Sequence, residues 1–100
     1  MPKIVIEKQT SLNAADAYQK IKSMLADDRD LKKFDAGYQC QFDDSGMTGT
    51  AKGKQFTANM KIEAHSPTKV ELTIELPLVL TPFKGMVENM LRTKLDRILA

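Results

Sequence analysis

Residues 56–76 read Phe-Thr-Ala-Asn-Met-Lys-Ile-Glu-Ala-His-Ser-Pro-Thr-Lys-Val-Glu-Leu-Thr-Ile-Glu-Leu. Phe56, Ala58, Met60, Ile62 and Ala64 alternate with Thr57, Asn59, Lys61, Glu63 and His65, and Val70, Leu72, Ile74 and Leu76 alternate with Glu71, Thr73 and Glu75. A period of two sends successive side chains to opposite faces of a strand, so each run has one apolar and one polar face. Ser66-Pro67-Thr68 supplies the turn between them. Slipping the pairing by one residue would turn the whole apolar set into water, so the register is strongly specified. The segment predicts an antiparallel pair packed on one face and wet on the other.

Upstream, Tyr38, Cys40 and Phe42 alternate with Gln39, Gln41 and Asp43, and Met47, Gly49 and Ala51 alternate with Thr48, Thr50 and Lys52. Asp43-Asp44-Ser45-Gly46 joins these two strands, and Gly53-Lys54 turns the chain into the long strand. Ile4-Val5-Ile6 is short and β-branched, which suits a first strand over residues 3–8. Between them, Asn13 is placed to cap a helix, with Asp16 three residues on and Leu12 able to staple against Ala17. Ala14, Ala17, Tyr18, Ile21, Met24 and Leu25 then draw one apolar stripe to about residue 28, with Lys20 and Lys22 off it. The charged segment 27–35 reads as a fraying helix end and a loop.

At the C-terminal end, Thr81 is expected to cap and Pro82 to occupy the first position of a last helix, where its missing amide costs nothing. Phe83, Met86, Val87, Met90, Leu91, Leu95, Ile98 and Leu99 form its apolar face, and Gly85 is expected to let the sheet approach closely. The order is β-α-β-β-β-β-α: an α+β fold with an antiparallel sheet of about five strands and two helices packed on one face. Phe56, Met60, Ile62, Leu72, Ile74, Phe83, Val87, Leu91 and Leu95 are expected to form one core. The 100 residues suit a single domain, 1–100.

Composition narrows the function classes. Apolar residues make up 42% and charged residues 28%, too apolar for a disordered chain. A net charge of +2 lacks the basic excess of a nucleic-acid binder. The longest apolar run, Leu76 to Leu80, is far too short to be a transmembrane segment. One cysteine rules out an internal disulfide, and the expectation is a cytoplasmic protein.

No catalytic, cofactor or metal constellation stands out. His65 falls on the polar face of its strand without a recognisable partner, and reads as a solvated histidine. Cys40 shares the phase of Tyr38 and Phe42 and reads as a core thiol. Residues 45–54 superficially suggest a phosphate loop, but Thr48 stands where a glycine is needed and Gln55 where Ser or Thr is needed. The dinucleotide spacing fails as well, at Thr48 and Ala51. The small residues of this stretch fit room for a crossing helix or a cavity. Asp27, Asp28 and Asp30 interleave with Arg29, Lys32 and Lys33, which favours a solvated helix end over a metal site. The methionines at 24, 47, 60, 86 and 90 fit core filling better than an adaptable ligand surface. The last helix, flanked by Lys84, Arg92, Lys94 and Arg97, reads as a packed helix before a surface anchor.

The run Leu76-Pro77-Leu78-Val79-Leu80-Thr81-Pro82-Phe83-Lys84-Gly85, continued by Val87-Glu88 and Lys94-Leu95-Asp96, resembles the C-terminal signature of the polyhydroxyalkanoic acid system proteins. Ile4, Ser11-Leu12 and the Ala-rich helix resemble that family's start, and Ser45-Gly46-Met47-Thr48-Gly49-Thr50 its central stretch. The resemblance implies a non-enzymatic accessory or regulatory protein of polyhydroxyalkanoate synthesis and storage. It implies contact with the granule, the polymer or a granule-associated protein, and a cytoplasmic, granule-associated location. Thr81, Pro82, Phe83, Lys84 and Gly85 are its candidate contact residues. Lys84 in a first helical turn opposes the macrodipole, which points to an acidic partner group. The architecture separately resembles a reduced helix-grip fold of the START and Bet v 1 type, and so implies the alternative of a small apolar ligand.

Overall fold

A computed structural model describes residues 2–100. Strand β1 spans Lys3–Thr10 and helix α1 Ala14–Ala26, followed by a short helix α2 over Arg29–Phe34. Strands β2 (Gln39–Asp43), β3 (Thr48–Lys52), β4 (Thr57–Glu63) and β5 (Thr68–Glu75) then run as a meander. A 3-10 helix over Leu78–Phe83 leads into the last helix, α3, Lys84–Ile98.

The five strands form one antiparallel sheet in the order β1-β5-β4-β3-β2. Its register sets the apolar side chains in rows. Ile4 faces Ile74, which faces Ala58, then Ala51, then Cys40; the next row runs Ile6, Leu72, Met60, Gly49, Phe42. Cross-strand neighbours on one face are the unit of sheet stabilisation, and these rows make that face continuous from edge to edge. Helix α1 lies across β2 to β5, while α3 packs against β1 and α1. The antiparallel sheet of five strands with two long helices on one face is as the alternation predicts.

Gly49 is small for a local reason. A Cβ there would meet the Phe42 ring across the pair, so the gap in the strand is filled by a neighbouring aromatic and not by a crossing helix.

Eight of the nine expected core residues are buried, including Leu72, Leu91 and Leu95 with no exposed surface. Phe83 is the exception, 45% exposed. The cause lies at the start of the last helix. Thr81 does not cap it: the Thr81 hydroxyl donates back to the Leu78 carbonyl (2.6 Å), and Leu80 N donates to Pro77 O (2.9 Å). These bonds wind residues 78–83 into a tighter helix with Pro82 late inside it, not at the first position. Three residues per turn rotate Phe83 off the α-helical stripe. Gly85 is also not a close-approach site, since a Cβ there would meet nothing within 4 Å.

The charged segment 27–35 holds the other difference. Asp28 is buried, and its carboxylate accepts from Leu31 N (3.0 Å), capping α2 where a loop is expected. Leu31 enters the core.

Candidate ligand-binding cleft

Helix α2 matters because it forms one wall of the most apolar concavity among the described residues. An open cleft of about 500 Å³ lies between α2, the sheet and α3. Leu31 and Phe34 come from α2, Phe56, Ile74 and Leu76 from the sheet side, and Met86, Val87 and Met90 from α3. That volume lies in the range of small-molecule sites, about 300–1,000 Å³. Phe56 sits between two other rings, 6.1 Å from Phe34 and 5.4 Å from Tyr38 between centroids, so the aromatic wall is preorganised.

The walls are tied together by polar contacts behind them. Lys94 of α3 places its ammonium 2.8 Å from Asp28 Oδ1 and 2.8 Å from Asp30 Oδ2. The Tyr38 hydroxyl donates to Leu25 O at 2.6 Å, joining the residue that precedes β2 to the end of α1. At the far end of α2, Asp35 is buried and accepts from Gln55 N at 2.7 Å, which holds the Gly53–Gln55 turn against the helix. Asp28 and Asp35 therefore bracket the cleft wall, while Asp27, Arg29, Asp30, Lys32 and Lys33 stay exposed, as a solvated helix end would. Among the described residues, no group of three or more His, Cys, Asp or Glu is placed to hold a metal ion.

Beside the cleft, an apolar ridge stands in water. Leu78 is 72% exposed, Val79 77% and Met86 63%, with Phe83 between them. Thr81, Pro82 and Gly85 are exposed on the same segment, and Lys84 is half-buried. The candidate contact residues 81–85 thus lie on this ridge, outside the cleft lining. Met86 belongs to both. Its exposure and the half-burial of Met90 set them apart from Met60, which is core.

His65 and Cys40 line neither feature. His65 is exposed but has a partner that sequence reading misses: its Nε2 lies 2.8 Å from Glu63 Oε2, and this hydrogen bond holds the Glu63 carboxyl below the usual range. Cys40 is only half-buried, because it ends its row on the edge strand. Burial pushes its thiol up, away from the reactive thiolate.

Sequence reasoning misses Leu31 and Phe34. The available signal was Asp28 three residues before Leu31, a cap spacing ahead of an apolar pair.

The fold is shared with solved structures. TTHA0849 from Thermus thermophilus matches with a TM-score of 0.62 at 13% identity, over 98% of this chain and 97% of that one. The di-domain ARO/CYC BexL from the BE-7585A biosynthetic pathway matches at 0.74 and 10%, over 99% of this chain and 45% of that one. Ara h 8.0201 matches at 0.58 and 12%, over 97% and 94%. These place the chain in the helix-grip, Bet v 1-like architecture. No curated protein sequence matches it. Residues 4–99 match the family described as "Putative polyhydroxyalkanoic acid system protein", and the chain belongs to that family.

Proposed function

We propose that this protein is a non-enzymatic binding module of the polyhydroxyalkanoate system, working at the storage granule in the cytoplasm, whose cleft takes up an apolar acyl chain. The observation that carries this reading is the 500 Å³ cleft lined by Leu31, Phe34, Phe56, Ile74, Leu76 and Val87. A preformed apolar concavity of that size binds by removing apolar ligand surface from water. The test is titration with the fluorescent probe N-phenyl-1-naphthylamine. Wild type should enhance its emission, and Met90→Glu, which sets a charge in the wall, should weaken binding about tenfold or more by the cost of burying that charge. No enhancement with wild type would end the reading.

The exposed ridge favours a second contact, with the polymer surface itself. Leu78, Val79, Phe83 and Met86 together expose on the order of 450 Å², within the roughly 300–600 Å² of a typical monomer's largest apolar patch, which is often functional. Stable dimers need roughly 800 Å² from each partner, so a second copy is a poor fit. Cosedimentation with protein-free poly(3-hydroxybutyrate) granules tests it. Wild type should pellet and Val79→Asp should not. Lys84→Gln should pellet less at low salt if Lys84 meets acidic groups there. Equal pelleting of wild type and Val79→Asp removes the ridge from the account.

A further inference from the structure

Ile62 N donates to Met47 O at 3.0 Å and Gly53 N to Phe56 O at 2.9 Å, which extends the β3–β4 ladder by one pair at each end. Main-chain groups along a strand point alternately to its two neighbours. Met47, Gly49, Ala51 and Gly53 therefore spend theirs on β4, and Thr48, Thr50 and Lys52 spend theirs on β2. The β2 partners of those three, Asp43, Gln41 and Gln39, are thereby satisfied. Cys40 and Phe42 point their N–H and C=O groups the other way, off the edge of the sheet, and no other backbone group among the described residues meets them.

The two edges of the sheet are built differently. Strand β1 carries Lys3, Glu7 and Lys8, and Lys8 stands in the phase of Ile4 and Ile6, paired with Asp96 of α3. Charges on an edge strand, above all one on its inward face, keep other strands away. Gln39-Cys40-Gln41-Phe42-Asp43 has no lysine, arginine or proline. The apolar rows of the sheet simply stop there, at Cys40 and Phe42, both half-buried. This strand is also its own complement. In an antiparallel pair centred on Gln41, each Cys40 faces Phe42, Gln41 faces Gln41 and Gln39 faces Asp43, so an amide meets the carboxylate and no like charges oppose. Cys40 then exchanges both main-chain bonds with Phe42 of the second copy, which uses the free groups of both strands. Moving the centre to Cys40 would set Phe42 against Tyr38, whose N–H is already given to Asp35 O. Lys22, 5.4 Å from the centroid of the Phe42 ring, is paired with Asp44 and brings no net charge to the seam. We infer that the free edge of β2 pairs with β2 of a second copy of this chain, antiparallel about a two-fold axis at Gln41. The axis stands perpendicular to the sheet, so both helical layers lie on one side and the apolar rows run on from copy to copy.

The experiment is analytical ultracentrifugation of the full chain across a concentration series. A seam between two short strands falls below the roughly 800 Å² per partner of a standard interface, so wild type should dimerise weakly, with a Kd of about 10–100 µM. Gln41 is exposed, and Gln41→Lys and Gln41→Glu should keep the fold, as circular dichroism checks. Each sets like charges opposite one another and should weaken association about fivefold or more at low salt. An equal mixture of the two variants pairs opposite charges and should regain at least the wild-type affinity, an outcome expected only where residue 41 faces itself. A wild type that stays monomeric to about 1 mM overturns the inference and leaves the edge to an extended segment of a different protein. A dimer that both variants retain undiminished, or a mixture no stronger than either variant alone, overturns it as well.

Discussion

Lys94 Nζ lies 2.8 Å from Asp28 Oδ1, and this contact joins α3 to the residue that caps α2. Asp28 is only 7% exposed and spends its other oxygen on Leu31 N, and the cation beside it is Lys94, which it shares with Asp30. The two walls of the cleft thus share one ionic bracket.

Lys94→Met should destabilise the protein by about 2 kcal/mol, because removing one partner leaves a buried carboxylate uncompensated. Urea unfolding monitored by circular dichroism measures it. A loss under about 0.5 kcal/mol would mean that solvent already balances Asp28.

Leu91 has no exposed surface at the centre of the α3 stripe. Leu91→Ala should cost about 2 to 5 kcal/mol, the usual range for a buried leucine that leaves a cavity. A cost below about 1 kcal/mol would mean that α3 is not docked through this position.

Gly53 approaches Asp35 so closely that a Cβ would overlap the carboxylate. That carboxylate is buried and bound to Gln55 N, so it cannot simply swing away. Gly53→Ala should therefore lower stability by about 1 to 3 kcal/mol, the cost of a buried acceptor forced off its donor. It should also shift the Gln55 amide resonance. An unchanged Gln55 signal would show the turn yielding instead.

Tyr18 is buried, and its hydroxyl donates to Asp44 Oδ1 at 2.6 Å. Burial, and then Asp44, push its pKa from 10.0 up to about 12. The folded protein therefore keeps this proton more tightly than the unfolded chain does. The contribution is complete below pH 10 and is lost as pH rises towards about 12. Thermal unfolding across that window should fall more steeply for wild type than for Tyr18→Phe. Parallel slopes would contradict the assignment.

The strand alternations and the two long helical stripes were legible because each is a local periodicity. Met60 facing Leu72, and Ala58 facing Ile74, follow from patterns carried within 56–64 and 70–76. The family was legible from Pro82-Phe83-Lys84-Gly85 and its flanks. The opening of the last helix was misread because Thr81-Pro82 has the composition of a cap, while the hydroxyl found a nearer carbonyl at Leu78.

The sequence by itself determined the sheet, its wet and dry faces, and the two helices that cover the dry one, since hydrophobic period and turn chemistry act over a few residues. Only the tertiary structure decided that a six-residue charged segment is a helix, because that helix is too short to show a period. It is held by Asp28 and by Lys94, which lies 66 residues away along the chain (94 − 28). The cleft was equally out of reach. Its walls come from α2, the sheet and α3, and whether they meet or stand apart depends on how layers pack, which no local pattern records.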